Sequence, residues 1–101
     1  MDIPEGPVRL GNHWLSSSWV EEVTVPASVV EIGTETFYRC AKLRRVSFAE
    51  GSQLNGVGVA AFMESGLEEL SLPASVEVIR EYAFCGSKCF RAVRFAQGSL
   101  L

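Results

Sequence analysis

The sequence predicts a right-handed solenoid of about four coils, built on one parallel β-sheet. Two observations carry that prediction. The segments Val20-Glu-Glu-Val-Thr-Val-Pro, Leu43-Arg-Arg-Val-Ser-Phe-Ala, Leu67-Glu-Glu-Leu-Ser-Leu-Pro and Phe90-Arg-Ala-Val-Arg-Phe-Ala begin 23, 24 and 23 residues apart. A fixed period of this size marks coils that stack on their neighbours. The repeat is also double. A shift of 47 residues aligns positions 10–54 with 57–101 without a gap, and 17 of the 45 pairs are identical.

This phase assigns each element in order. Residues 1–9 fall outside the alignment and read as an N-terminal extension. Residues 10–19 form a half coil, in which Leu10 aligns with Val57 and Leu15 with Phe62. Whole coils cover 20–42, 43–66 and 67–89, and a half coil covers 90–101. Each coil opens on a strand, because Val23 and Val25, Val46 and Phe48, Leu70 and Leu72, and Val93 and Phe95 alternate with polar residues. Pro26 and Pro73 lack an N–H and end their strands. A second apolar pair follows (Val29 and Ile32, Leu54 and Val57, Val76 and Ile79), then Phe37, Phe62 or Phe84. Glu35-Thr-Phe, Ala60-Ala-Phe and Glu81-Tyr-Ala-Phe read as one short helical or 3₁₀ turn each. No coil buries these side chains alone, so they must form one apolar column.

The pattern from Val20 to Cys40, Leu-x-x-Val-x-Val-Pro-x-Ser-Val-x-x-Ile-Gly-x-x-x-Phe-x-x-Cys in outline, resembles the BspA-type leucine-rich repeats. The resemblance covers residues 10–101 and implies a leucine-rich-repeat solenoid. Departures are Arg80 at the glycine position of Gly33 and Gly58, Ser65 and Ser87 at the cysteine position of Cys40, and Leu15 at the first phenylalanine position. Proteins of this family are typically surface or secreted binding proteins of bacteria and protists. The resemblance therefore implies protein recognition at a cell surface, without naming a ligand.

Register stacks the strand residues into columns about 4.8 Å apart. One column reads Glu21, Arg44, Glu68, Arg91, and the next Glu22, Arg45, Glu69, Ala92. Opposite charges alternate, and each exposed pair is worth about 0.2–1 kcal/mol. The ladder has two compatible readings. It sets the order of the coils, or it forms a protein-binding face of Glu22, Thr24, Arg45, Ser47, Glu69, Ser71, Ala92 and Arg94.

Other chemistry finds little support. The formal net charge of −3 and the paired ladder argue against a nucleic-acid partner. No apolar run reaches the roughly 18–20 residues that span a bilayer, so membrane insertion is not expected. Met1-Asp-Ile-Pro-Glu-Gly-Pro has no secretory pattern. His13 has no sequence partners for a triad or metal site and reads as a solvent-facing loop residue. Glu21-Glu22 and Glu68-Glu69 repeat with the coils, and adjacent strand residues cannot flank one bond. No catalytic, cofactor or metal residues are assigned. Cys40 and Cys85 lie too far apart along the stack to bridge, whereas Cys85 and Cys89 could bridge or hold half of a metal site. Cys40 reads as a buried thiol. Trp14 and Trp19 either cap the first coil or form an aromatic patch. Tyr38 and Met63 are expected at the convex edge.

Leu100 and Leu101 stand midway through a coil, which predicts an apolar end that either continues into a longer array or self-associates. The favoured function is a non-enzymatic protein–protein interaction module with an unidentified protein partner. A structural spacer in a longer repeat protein and an intracellular scaffold are the alternatives.

Overall fold

A computed structural model of the 101-residue chain describes residues 1–87 and 90–95. It is a stack of about four coils, and each coil turns through three faces. The first face carries strands β2 (Glu22–Val25), β4 (Arg45–Phe48), β6 (Glu69–Leu72) and β8 (Ala92–Phe95). The second carries the two-residue strands β1 (Arg9–Leu10), β3 (Glu31–Ile32), β5 (Gly56–Val57) and β7 (Val78–Ile79). The third consists of turns over 12–17, 34–39, 59–64 and 81–86.

The alternation of apolar residues does what strand periodicity requires. Val23, Val25, Val46, Leu70 and Leu72 point inward and are buried, while Glu22, Arg45, Ser47, Glu69 and Ser71 are exposed. Ile32, Val57, Leu10 and the partly buried Ile79 add the second wall. The third wall is a file of parallel rings. Phe37 stacks on Phe62 at 5.1 Å, Phe62 on Phe84 at 5.7 Å and Phe84 on Phe90 at 4.4 Å. Three apolar walls closing on one axis give every coil a core that only its neighbours complete.

Four features differ from the sequence expectations. There are two β faces rather than one sheet, since β1, β3, β5 and β7 form a continuous parallel ladder of their own. Strands of two residues are too short to show alternation in a sequence.

Residues 1–9 belong to the stack and are not an appendage. Asp2 bridges Thr24, Ile3 N–H donates to Thr24 O, Ile3 is buried, and Val30 N–H donates to Val8 O. The segment escaped the 47-residue alignment because Asp2 partners Thr24 and Thr24 partners Ser47, a two-coil step of 45 residues.

The third face contains turns and, among the described residues, no helix. His13, Ser17, Glu35, Arg39, Ala60, Glu64 and Tyr82 have φ between 55° and 62°, and Gly86 has φ 72°. These fall into two columns, four residues apart in each coil. A left-handed residue at every fourth position prevents a turn from winding into a helix. It also re-aims alternate amides along the stack. His13, Leu15 and Ser17 donate to Thr34, Thr36 and Tyr38 of the next coil, and Glu35, Phe37 and Arg39 donate to Val59, Ala61 and Met63. The gain is a stack-wide hydrogen-bond ladder at a conformational cost of order 1–2 kcal/mol per non-glycine residue.

The first face is divided. Ladders join β2 to β4 and β6 to β8, but none joins β4 to β6. A proline explains one end of this break. Beside β2, Ala49 N–H donates to Val25 O at 2.9 Å. The same place beside Phe48 is held by Pro73, which has no N–H to give.

Candidate functional site

All eight residues read as a possible binding face lie on the first-face strands. Glu22 and Thr24 are on β2, Arg45 and Ser47 on β4, Glu69 and Ser71 on β6, and Ala92 and Arg94 on β8. Glu22, Arg45, Ser47, Glu69, Ser71 and Arg94 are exposed, while Thr24 and Ala92 are half-buried. Parallel registers align Glu22 with Arg45, Thr24 with Ser47, Glu69 with Ala92 and Ser71 with Arg94.

The charge ladder is interrupted at its centre. Arg45 Nη1 meets Glu22 Oε1 at 3.1 Å, Arg91 Nη2 meets Glu68 Oε1 at 3.7 Å, and Arg94 Nη2 meets Glu69 Oε1 at 2.9 Å. Because Ala92 carries no charge, Arg94 serves Glu69 diagonally. Among the described residues no ion pair joins Arg44 or Arg45 to Glu68 or Glu69, and none joins Arg44 to Glu21, so the pairing expected at nearly every step fails between β4 and β6 and on both sides of Arg44. All partners in these pairs are well exposed, which limits each to about 0–1 kcal/mol.

A depression of about 1030 Å³ runs across this face from β2 over β4 to β6. Glu21, Glu22, Arg44, Arg45, Glu68 and Glu69 line it together with Ser47 and Ser71, above Val46, Phe48 and Leu72. Sequence reasoning found most of these residues but not the depression. The signal available was the pairing of Pro73 with a 24-residue step where the flanking steps are 23.

The remaining candidates are dispersed. His13 is exposed on the third face, with Nδ1 3.0 Å from Glu35 Oε1. A neighbouring pair on that face joins Arg39 to Glu64 at 3.3 Å, and the Arg39 guanidinium lies 5.3 Å from the centre of the Tyr38 ring. Cys40 is buried, its Sγ 2.9 Å from Leu15 O, and burial pushes its pKa up. Ser87 makes the corresponding bond to Phe62 O at 2.8 Å, which explains why serine and cysteine interchange at this position. Among the described residues Cys40 and Cys85 form no disulfide. The pairing of Cys85 with Cys89 and the apolar end at Leu100 lie outside the described residues. Trp19 is 81% exposed and Trp14 46%, so neither seals the first coil. Tyr38 and Met63 are half-buried at the edge of the third face. Among the described residues no group of three or more His, Cys, Asp or Glu could hold a metal ion, and no helix is long and apolar enough to cross a membrane.

Comparisons with known proteins agree with the geometry. A family model described as a BspA type leucine rich repeat region matches residues 1–98 in 6 copies. The crystal structure of the pneumococcal vaccine antigen PcpA superposes with a TM-score of 0.90 at 26% identity, over 99% of this chain and 29% of the PcpA chain. A leucine-rich repeat protein from Bacteroides capillosus superposes with a TM-score of 0.83 at 28% identity, over 94% of this chain and 75% of that one. No curated protein matches the chain.

Proposed function

This chain belongs to the BspA type leucine-rich repeat family, and from that membership we propose that it acts as a non-enzymatic protein–protein interaction module. The observation that carries the reading is the first face. It offers exposed, mixed-charge side chains on short strands whose inward neighbours are locked in the core. Rigid elements presenting adaptable polar groups suit recognition, and solenoids commonly bind through such extended surfaces. PcpA is a vaccine antigen, which is consistent with a cell-surface setting for this module. A structural spacer is the second reading, favoured by the ion pairs Glu22–Arg45 and Glu69–Arg94, which tie coil to coil.

Panning the immobilised chain against a displayed library of folded protein domains tests the reading. Bound domains should lose at least tenfold in affinity for the double variant Arg45→Ala/Glu69→Ala while its melting temperature stays within a few degrees. A variant that melts much lower, with no face-dependent binder recovered, would favour the spacer.

A further inference from the structure

We infer that Asn55-Gly56 is a latent deamidation site held closed by the second-face ladder, whatever the first face binds. An asparagine side chain is open to attack by the backbone nitrogen of the next residue, and glycine, which has no Cβ, hinders that attack least. Asn55-Gly56 is the one Asn-Gly pair in the chain. The fold does not demand this glycine. At Gly33, Gly58 and Gly66 an added Cβ would sit 2.5, 2.7 and 2.3 Å from neighbouring backbone atoms. At Gly56 it would meet only Glu31 Cγ and Val78 O, both at 3.9 Å, and φ lies outside the left-handed region. The register neighbours of Gly56 in the ladder are Arg9, Glu31 and Val78, all with side chains.

The reaction needs only water. Gly56 N bonds to Asn55 Cγ, the Cγ–Nδ2 bond breaks, and ammonia leaves with the proton shed by Gly56 N. Water then opens the cyclic imide at either carbonyl. One product is aspartate. The other is isoaspartate, whose main chain runs through the former side chain and is longer by one methylene. In the folded stack the reacting groups are tied. Asn55 is exposed, but its N–H and that of Gly56 both donate to Val30 O, at 2.7 and 3.3 Å. Its carbonyl accepts from the Glu77 and Val78 amides at 2.8 and 3.2 Å. The peptide plane between residues 55 and 56 is thus held by both neighbouring coils. These bonds must release before its nitrogen can turn toward Cγ.

Conversion acts on the stack in turn. Residue 55 precedes the register pair Gly56–Val78 and so lies beside the exposed Glu77. Aspartate there adds a like-charge neighbour at small cost. Isoaspartate does more, because its extra methylene moves the Gly56 amide away from Val30 O and shifts β5 out of register with both neighbours.

The experiment incubates the whole chain at mildly alkaline pH, folded in buffer and unfolded in urea. Peptide mass spectrometry follows residue 55, with the two products separated by chromatography. Asn55 should convert in urea, and about tenfold or more slowly in the folded chain, where the rate follows the population of the opened ladder. Asn12, which precedes His13 rather than a glycine, is the internal reference and should change far less. Gly56→Ala should slow conversion in urea about tenfold, since its methyl group obstructs the attacking nitrogen. That comparison is made on unfolded chains, so it does not depend on how the variant folds. The isoaspartyl product, refolded, should melt below the unaltered chain, and Asn55→Asp by a smaller margin. Equal rates in buffer and urea would show that the ladder does not close the site. No conversion at Asn55 in urea, or conversion undiminished by Gly56→Ala, overturns the site itself. An isoaspartyl chain that melts with the unaltered one refutes the effect on the stack.

Discussion

Seven non-glycine residues with positive φ make the third face expensive one position at a time. Gly86 is the exception in its column, whose other members are Ser17, Arg39 and Glu64. A Cβ at Gly86 would sit 2.9 Å from Glu64 Cγ, and φ is 72°. We expect Gly86→Ala to lower stability by about 1–2 kcal/mol, from left-handed strain plus the displaced glutamate. Ser17→Gly should do the opposite. Relief of strain outweighs or balances the entropy glycine gains on unfolding, so stability holds or rises by up to about 1 kcal/mol. Chemical denaturation of both variants checks the pair, and destabilisation by Ser17→Gly would refute the strain argument. Cys40 supplies a pH test. Its pKa is raised from 9.0 by burial, so its protonated form is favoured in the fold. That contribution is complete below the ordinary thiol range and is lost as pH rises through the elevated folded value. Cys40→Ser should melt less steeply with pH above about 9, at a stability cost within about 1 kcal/mol, because serine can make the same bond to Leu15 O. Parallel pH curves for the two proteins would sink the idea.

At the scale of elements, the divided first face follows from a missing donor. Pro73→Ala should give residue 73 a protected amide in hydrogen exchange, bonded to Phe48 O. The melting temperature should barely move, since one hydrogen bond of about 1 kcal/mol is offset by the lost rigidity of proline. An amide at 73 that exchanges at the unprotected rate would show that something other than the proline holds the strands apart. Strands β2, β4 and β6 were legible in the sequence because polar and apolar residues alternate along each; β8 was legible through the repeat alone, since Ala92 takes a polar place and Phe95, expected inside, is exposed. The second-face strands were visible only as the inward positions Ile32, Val57 and Ile79. The turns were misjudged because left-handed conformations at Glu35, Ala60 and Tyr82 carry no glycine to announce them. Alternation of charge was equally legible, but its failure between Arg45 and Glu69 depends on strand separation, which spacing alone does not encode.

Across the whole molecule, stability is a chain of neighbour-to-neighbour contacts, and the phenylalanine file runs through three of the four coils before reaching Phe90. The third-face amides give this chain a sense of direction. Each donates toward the C-terminal neighbour: His13 to Thr34, Glu35 to Val59, Ala60 to Glu81. Asn12, Trp14 and Ser16 therefore face outward as acceptors at one end of the file. Among the described residues the amides of Tyr82, Phe84 and Gly86 have no backbone acceptor at the other. Two copies meeting through like ends would oppose acceptor to acceptor or donor to donor. On this face an end-to-end contact is complementary only between unlike ends, which is a translational, non-closing arrangement. If the chain associates through its ends, light scattering across a concentration series should show mass growing without a plateau at the dimer. A discrete two-fold dimer would mean that contact lies on a lateral face. The third face is thus polarised like a length of track: a further coil or a second copy continues its hydrogen bonds in one orientation only.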